Sequence, residues 1–213
     1  MIQIENVEVV GWEAAIRGMR NPMNSWDKSD SYSTFIEDEQ TMQTAKFEHF
    51  VGDNDYELMA RLAEAGSDHS KYLRMIAVYA DVTAPRYWWA EYDTYKVGTV
   101  RNSCSTMHKI QAKEFTLNDF SCEHLAGQPL EALKFTILCL NNAREYFLDT
   151  KNKEDWWQMI QLLPNSYNQR ATVMLNYEVL RNMYHSRKNH KLDEWRDLCK
   201  WIESLPYSKL ITT

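Results

Sequence analysis

The sequence predicts an α+β fold, mostly helical with a small sheet, in a single domain over residues 1–213. Three observations carry that expectation. Apolar residues recur at helical spacing through most of the second half, with Leu130, Leu133, Ile137, Leu140 and Ala143 as the longest run. Extended chain is confined to the first half, where Ile76, Val78, Ala80 and Val82 alternate. Apolar residues make up 44% of the chain, with only six glycines and five prolines, so a sizeable core is available and a linker-rich chain is excluded.

The elements follow in order. Ile2, Ile4 and the cluster Val7 to Val10 read as one strand or two short ones. Trp12 to Met19 reads as a helix that ends near Asn21-Pro22, and Pro22 to Tyr32 is turn-rich. Asn54 to Ala65 is a helix, with Asp55 placed to cap it, Leu58, Leu62 and Ala65 on one face, and Gly66 to stop it. Tyr72 to Val82 reads as a strand. Pro85 suits the first turn of a helix that carries Tyr87, Trp88, Trp89 and Tyr92. Thr99 to Gly127 reads mostly as loop. Helices are expected at Pro129 to Leu148, Glu154 to Leu163, Ser166 to Tyr184 and Leu192 to Ile202. There is no internal repeat.

Composition excludes several functions. A net charge of -6 disfavours broad nucleic-acid binding, although a local basic pocket is compatible with it. Cys104, Cys122, Cys139 and Cys199 are widely spaced and contain no CxxC pair, and the six histidines form no spaced set, so no metal site is expected. No signal peptide and no membrane-length apolar run is visible, so a soluble cytoplasmic protein with reduced thiols is expected. Gly-rich nucleotide loops, GxSxG and HExxH are absent. Eight tryptophans and twelve tyrosines exceed what one core of this size needs, which favours an oligomer.

The richest segment runs from Ala84 to Lys109. After the aromatic helix it holds Lys96, Arg101, Asn102, Ser103, Cys104, Ser105 and His108. Amides, hydroxyls and cations of this kind converge on phosphates; a solvated loop has the same composition. Cys104 is a nucleophile if Lys96, Arg101 or His108 lowers its pKa, and otherwise a small loop residue. Arg181, Arg187, Lys188, His190 and Lys191 cluster at a helix end, which complements a helix dipole or holds an anionic ligand.

Two segments resemble the flavin-dependent thymidylate synthases. The first is the strand, the Ala84-Pro85 step, the aromatic helix and the loop after it. That family has Gln-x-x-Arg-His-Arg-x-x-Ser-x-Asn-Glu-x-Ser-x-Arg-Tyr at this spacing. The second is Leu162 to Trp195, where Leu163-Pro164, Asn176, Arg187, His190 and Glu194 fit the family pattern, the last two with a one-residue shift. The departures are large. The glutamine falls on Glu91, and the Arg-His-Arg falls on Thr94, Tyr95 and Lys96. The first serine falls on Thr99, the Asn-Glu on Arg101 and Asn102, the second serine on Cys104 and the last arginine on Thr106; a one-residue shift matches Asn102 and Ser105 instead. Further family arginines fall on Ile160 and Glu178, and the strand histidine on Met75.

The resemblance implies the family fold and a homotetramer that binds FAD and deoxyuridylate (dUMP) across subunit interfaces. Methylenetetrahydrofolate and NADPH take part if the chain is active. By the same resemblance Glu91, Lys96, Thr99, Asn102, Cys104, Ser105 and Arg187 bind the pyrimidine nucleotide, and Tyr95 and Asn176 lie by the flavin. Arg17 or Arg20 is available to replace a lost cation. No catalytic residue is assigned. The alternative reading is a non-catalytic homologue serving as an oligomeric binding protein.

Overall fold

The computed structural model describes residues 2–36 and 46–213. In chain order the elements are β1 (Gln3–Val10), α1 (Trp12–Arg20), β2 (Tyr32–Ile36), β3 (Lys46–Phe50), α2 (Asp53–Glu64), β4 (Ala77–Pro85), α3 (Arg86–Tyr92), β5 (Val100–Ser103) and α4 (Thr106–Lys109). The remaining elements are α5 (Gln128–Thr150), α6 (Lys153–Leu162), β6 (Asn168–Asn176), α7 (Tyr177–Arg187), α8 (Asp193–Glu203) and α9 (Lys209–Thr212). The α+β reading holds. No helix among the described residues is long and apolar enough to cross a membrane.

One antiparallel sheet runs in the order β1-β4-β6-β5, and β2 and β3 form a separate hairpin. The central pair is registered from Ala77 opposite Asn176 to Pro85 opposite Asn168. Val78, Ala80 and Val82 of β4, with Ala171, Val173 and Leu175 of β6, fill the buried face at period two. The main core joins that face to Ile16 of α1, Trp88 of α3, Leu180 of α7 and Trp195 of α8. A second cluster lies between α5 and α6, where Leu140 and Met159 meet Phe115 and Phe120 of the preceding loop.

Three expectations need correction. Ser166 to Tyr184 is not one helix; it is β6 followed by α7. No glycine or proline separates them, and the boundary is Asn176, whose side-chain oxygen accepts the Val179 amide at 2.9 Å and caps α7. The strand read at Tyr72 begins later, because Ser70–Met75 is a 3-10 turn and β4 starts at Ala77. Within the stretch read as loop, Val100–Ser103 pairs with β6. The β2–β3 hairpin had no sequence reading.

The Asp55 cap is also replaced by something else. Asp30 caps α2 from a distance, with its carboxylate accepting the Asn54 and Asp55 amides at 2.9 and 3.1 Å. Asp55 lies inside the first turn, fully buried, and pairs with buried Arg20 at 2.6 Å. Its other oxygen accepts the Ser29 and Ser31 hydroxyls at 2.7 and 2.6 Å and the Ser31 amide at 3.1 Å. Arg20 also donates to the Ser25 and Lys28 carbonyls, both at 3.1 Å. This ion pair therefore staples α1, α2 and the 25–31 loop together, and Arg20 is not available to a ligand. Gly11 tightens the entry to α1: its φ is +94°, and a Cβ there would lie 2.1 Å from the Met75 carbonyl oxygen.

Removing one partner of a buried ion pair leaves a charge unpaired, so Asp55→Ala is expected to cost about 3–5 kcal/mol in urea unfolding. Burial pushes the Asp55 carboxyl upward, yet hydrogen bonds from Ser31, Ser29 and Arg20, with the Arg20 charge, outweigh it and hold the group below the ordinary range. A depressed folded-state pKa contributes stability above the unfolded value of about 3.9 and loses it as pH falls through the folded value. Wild-type stability should therefore drop below about pH 4, and Asp55→Asn should flatten that drop. An unchanged acid limb in the variant would remove Asp55 from the account.

Candidate functional site

The candidate residues divide into two groups at the two ends of β5. The first group forms where α3 and α7 end. Arg187, in the last turn of α7, donates Nη1 to Glu91 Oε2 at 2.9 Å and Nε to Tyr95 Oη at 3.0 Å. Its guanidinium lies over the Trp195 ring at 4.7 Å and the Tyr95 ring at 5.7 Å. The same Glu91 oxygen accepts Trp195 Nε1 at 3.0 Å, and His190 Nε2 is 3.5 Å away. A carboxylate in the last turn of a helix is opposed by the dipole, and the Arg187 cation offsets this.

The turn beneath this group is closely built. Thr99 donates its hydroxyl to the Tyr95 carbonyl. Gly98 has φ +78°, and a Cβ there would lie 2.8 Å from Asn176 Nδ2. Only glycine lets the turn sit against the α7 cap. Lys96 stands exposed on this turn. Arg101 is half-buried against the Trp89 ring at 4.3 Å, and its Nη1 holds both Asp93 oxygens at 2.7 Å.

The second group lies about 16 Å along the chain, five residues of extended strand after Thr99. Cys104 is exposed; its amide donates to the Arg170 carbonyl at 2.9 Å and its carbonyl accepts Gln169 Nε2 at 2.6 Å. Ser105 caps α4, with Oγ accepting the Met107 and His108 amides at 3.2 and 3.1 Å. Cys104, Ser105 and Thr106 open onto a cavity of about 740 Å³, walled by Ile110 and Phe120. Asn102 belongs to neither group. It is exposed opposite Thr172 on the open sheet face, in line with Asp81. Hydrogen bonds from Thr172, Asn6 and Arg170 hold the Asp81 carboxyl down at about 2.

The structure thus gathers Glu91, Tyr95 and Arg187, sets Thr99 and Asn176 beneath them, and places Cys104 and Ser105 elsewhere. Trp195 was not singled out from sequence, and neither were Lys109, Lys113, Gln169 and Arg170, which line the cavity. The last two sit on β6, in the stretch read as helix, so their alternation along a strand went unread. Two cations named from sequence, Arg101 and Arg187, already hold acids. Among the described residues no three His, Cys, Asp or Glu side chains are gathered as a metal site.

Arg187 makes an ion pair, a hydrogen bond and two ring contacts within the free protein. Because the pair is partly exposed, Arg187→Ala is expected to cost only about 1–2 kcal/mol, read as a lower urea midpoint. Glu91→Gln keeps the Trp195 partner and should cost less. Equal stability of wild type and Arg187→Ala would show that these contacts carry no energy.

No protein-family model matches the chain, and no curated protein sequence does. Solved structures do match. The chain is similar to thymidylate synthase X (ThyX) from Helicobacter pylori with FAD and dUMP, at 18% identity and TM-score 0.67, covering all of this chain and 97% of that one. A second structure, the flavin-dependent ThyX of the same organism complexed with FAD and dUMP, matches at 18% identity and TM-score 0.64, over 97% and 98% of the two chains. A UMP/dUMP methylase, PolB from Streptomyces cacaoi bound with 5-Br dUMP, matches at 13% identity and TM-score 0.65, over 100% and 95%. With both ends of β5 described and three full-length matches in agreement, the chain has the fold of the flavin-dependent thymidylate synthases, in a divergent form.

Proposed function

We propose that this chain binds a pyrimidine deoxynucleotide such as dUMP, at a site built from the two residue groups on neighbouring copies of a homo-oligomer. The observation that carries this reading is the division itself. Each end of β5 offers half of a site, and the lining of the cavity beside Cys104 includes none of Glu91, Tyr95 and Arg187. An aromatic, charge-paired corner of Glu91, Tyr95, Arg187 and Trp195 suits a planar base, because Arg187 keeps N–H groups beyond those given to Glu91 and Tyr95. The cavity beside Cys104 and Ser105 suits the remainder of a nucleotide. Exposed apolar side chains on α5, Phe135, Leu138 and Tyr146, offer surface for assembly.

The cofactor that this reading implies is FAD. Tyr95 and Asn176 would lie at its ring. The same residues do not fit its pyrophosphate. Asn176 spends its oxygen on the α7 amide, Glu178 puts a negative charge in the first turn of α7, and Arg101 and Arg187 are paired. An anion at that helix start would meet a carboxylate rather than a cation. Methyl transfer to dUMP with methylenetetrahydrofolate and NADPH is therefore expected to be weak or absent, while nucleotide binding persists.

Light scattering should give a tetramer, four times the 25.2 kDa chain mass. A 25.2 kDa monomer would remove the shared site. Calorimetric titration with dUMP should show binding that Arg187→Ala abolishes and that Cys104→Trp, which fills the cavity, abolishes separately. Co-assembled oligomers of the two variants should recover a fraction of the sites, since some interfaces then carry two intact halves. Failure to recover any site would place both groups on one copy's ligand. An absorption spectrum without a flavin band, unchanged on adding FAD, would leave a nucleotide-binding protein without the chemistry.

A further inference from the structure

The β2–β3 hairpin forms a second cavity against β1 and the start of α1. Its volume of about 890 Å³ lies within the roughly 300–1,000 Å³ of small-ligand pockets, and its lining includes none of the residues gathered at either end of β5. The hairpin register sets Ser33 opposite His49 and Phe35 opposite Phe47, so all four side chains share one face. There Ser33 Oγ donates to Glu13 Oε1 of α1 at 2.6 Å and lies 2.8 Å from His49 Nδ1. A hydroxyl has one proton to give, and a carboxylate only accepts. Ser33 therefore commits its proton to Glu13, and His49 Nδ1 carries the proton that lies between the ring and Ser33. Burial holds His49 below the ordinary imidazole range, outweighing the Glu13 and Asp55 charges, so near neutral pH the uncharged ring leaves Nε2 as a bare acceptor. That nitrogen is buried and has no hydrogen-bond partner among the described residues. A buried acceptor without a donor is costly, and His49 lines the cavity.

The rest of the lining selects the kind of donor. Trp12, Phe47 and Tyr207 supply aromatic wall, with Val7 and Val10 beside them. The charged side chains there are the carboxylates of Glu8, Glu13 and Glu48 and the guanidinium of Arg17. Three acids against one base, beside an uncharged imidazole, favour a cation. Aromatic faces strengthen that preference. An ammonium group carries three N–H donors and no acceptor, so it suits both the bare nitrogen and the carboxylates. A carboxylate or phosphate offers neither the charge nor the donors.

We propose that this cavity binds a small organic amine with an apolar or aromatic body, whose ammonium group donates to His49 Nε2 and is balanced by Glu13 and Glu8. Nε2 is covered in the free protein, so the wall shifts locally as the donor enters, as side chains at binding surfaces commonly do. Ser33 is a positioning residue, since its hydroxyl fixes which ring nitrogen of His49 is left to accept. Amine binding here does not depend on nucleotide binding at the ends of β5.

The test is titration of the full chain, with nitrogen-15 in its histidines, by three probes of one shape: phenethylamine, phenethyl alcohol and hydrocinnamate. Phenethylamine should move the His49 Nε2 resonance into the hydrogen-bonded range and bind most tightly, and hydrocinnamate should leave it in place. His49→Phe removes the acceptor and should weaken phenethylamine about 10-fold or more, the loss of a hydrogen bond to a charged group. Glu13 is exposed, and Glu13→Gln keeps an acceptor for Ser33, so that variant should fold. It should weaken phenethylamine about 2- to 5-fold and leave phenethyl alcohol unchanged. An Nε2 resonance that no probe moves overturns the site and leaves His49 a structural histidine. Equal affinity for phenethylamine and hydrocinnamate overturns the choice of an amine. If His49→Phe does not fold, which circular dichroism checks, equal phenethylamine affinity in wild type and Glu13→Gln overturns the proposal.

Discussion

The antiparallel pairing of β4 with β6 is the constraint on which the rest of this molecule depends. Nine residues of each strand are in register, and each strand runs directly into a helix: Pro85 into α3 and Asn176 into α7. Because the strands are antiparallel, the two helices start at opposite ends of the sheet. They run toward each other along its buried face, and their last turns meet. That meeting puts Glu91 against Arg187, although 96 residues separate them. Trp195 of α8 closes the corner from a third element by donating to the same carboxylate. A slip of β6 by one residue against β4 would turn Val173 and its neighbours outward and separate this corner.

Electrostatics sets the character of both residue groups. Three of their cations, Arg101, Arg170 and Arg187, are already engaged by Asp93, by Asp81 and Glu5, and by Glu91. Paired guanidinium groups keep directional N–H donors but present little net field. Such groups read the edge of a planar ligand better than they attract a dianion. Arg20, which the sequence offered as a replacement cation, is engaged inside the fold by Asp55. Charge at a candidate site is therefore decided less by how many arginines the chain has than by which of them find an acid first.

Burial supports the same division of labour. The aromatic load is split between core and site. Trp88, Trp89, Tyr92 and Trp195 pack edge-on or tilted with ring centroids about 5 Å apart, and all are buried. They form the rigid wall behind Glu91 and Arg187. In the smaller cluster Phe115, Phe120 and Tyr167 do the same behind the cavity. Both halves of the candidate site thus stand on packed aromatic surfaces rather than on mobile loops, which is what holding a ligand in one geometry requires.

The sequence by itself determined the helices of the second half, the buried face of β4 and the place of the aromatic helix after Pro85. These are periodic or punctuated signals, and each is written within a few consecutive residues. It also marked the candidate ligand residues by type and spacing. It did not separate β6 from α7, since the only boundary signal is the capping side chain of Asn176, which is indistinguishable from any other asparagine until the helix exists. Nor did it show that Asp55 holds Arg20 or that Arg187 is paired with Glu91. Those outcomes depend on which charges the fold brings within hydrogen-bond distance, and partners 35 or 96 residues apart are set by strand register and helix packing, not by local sequence.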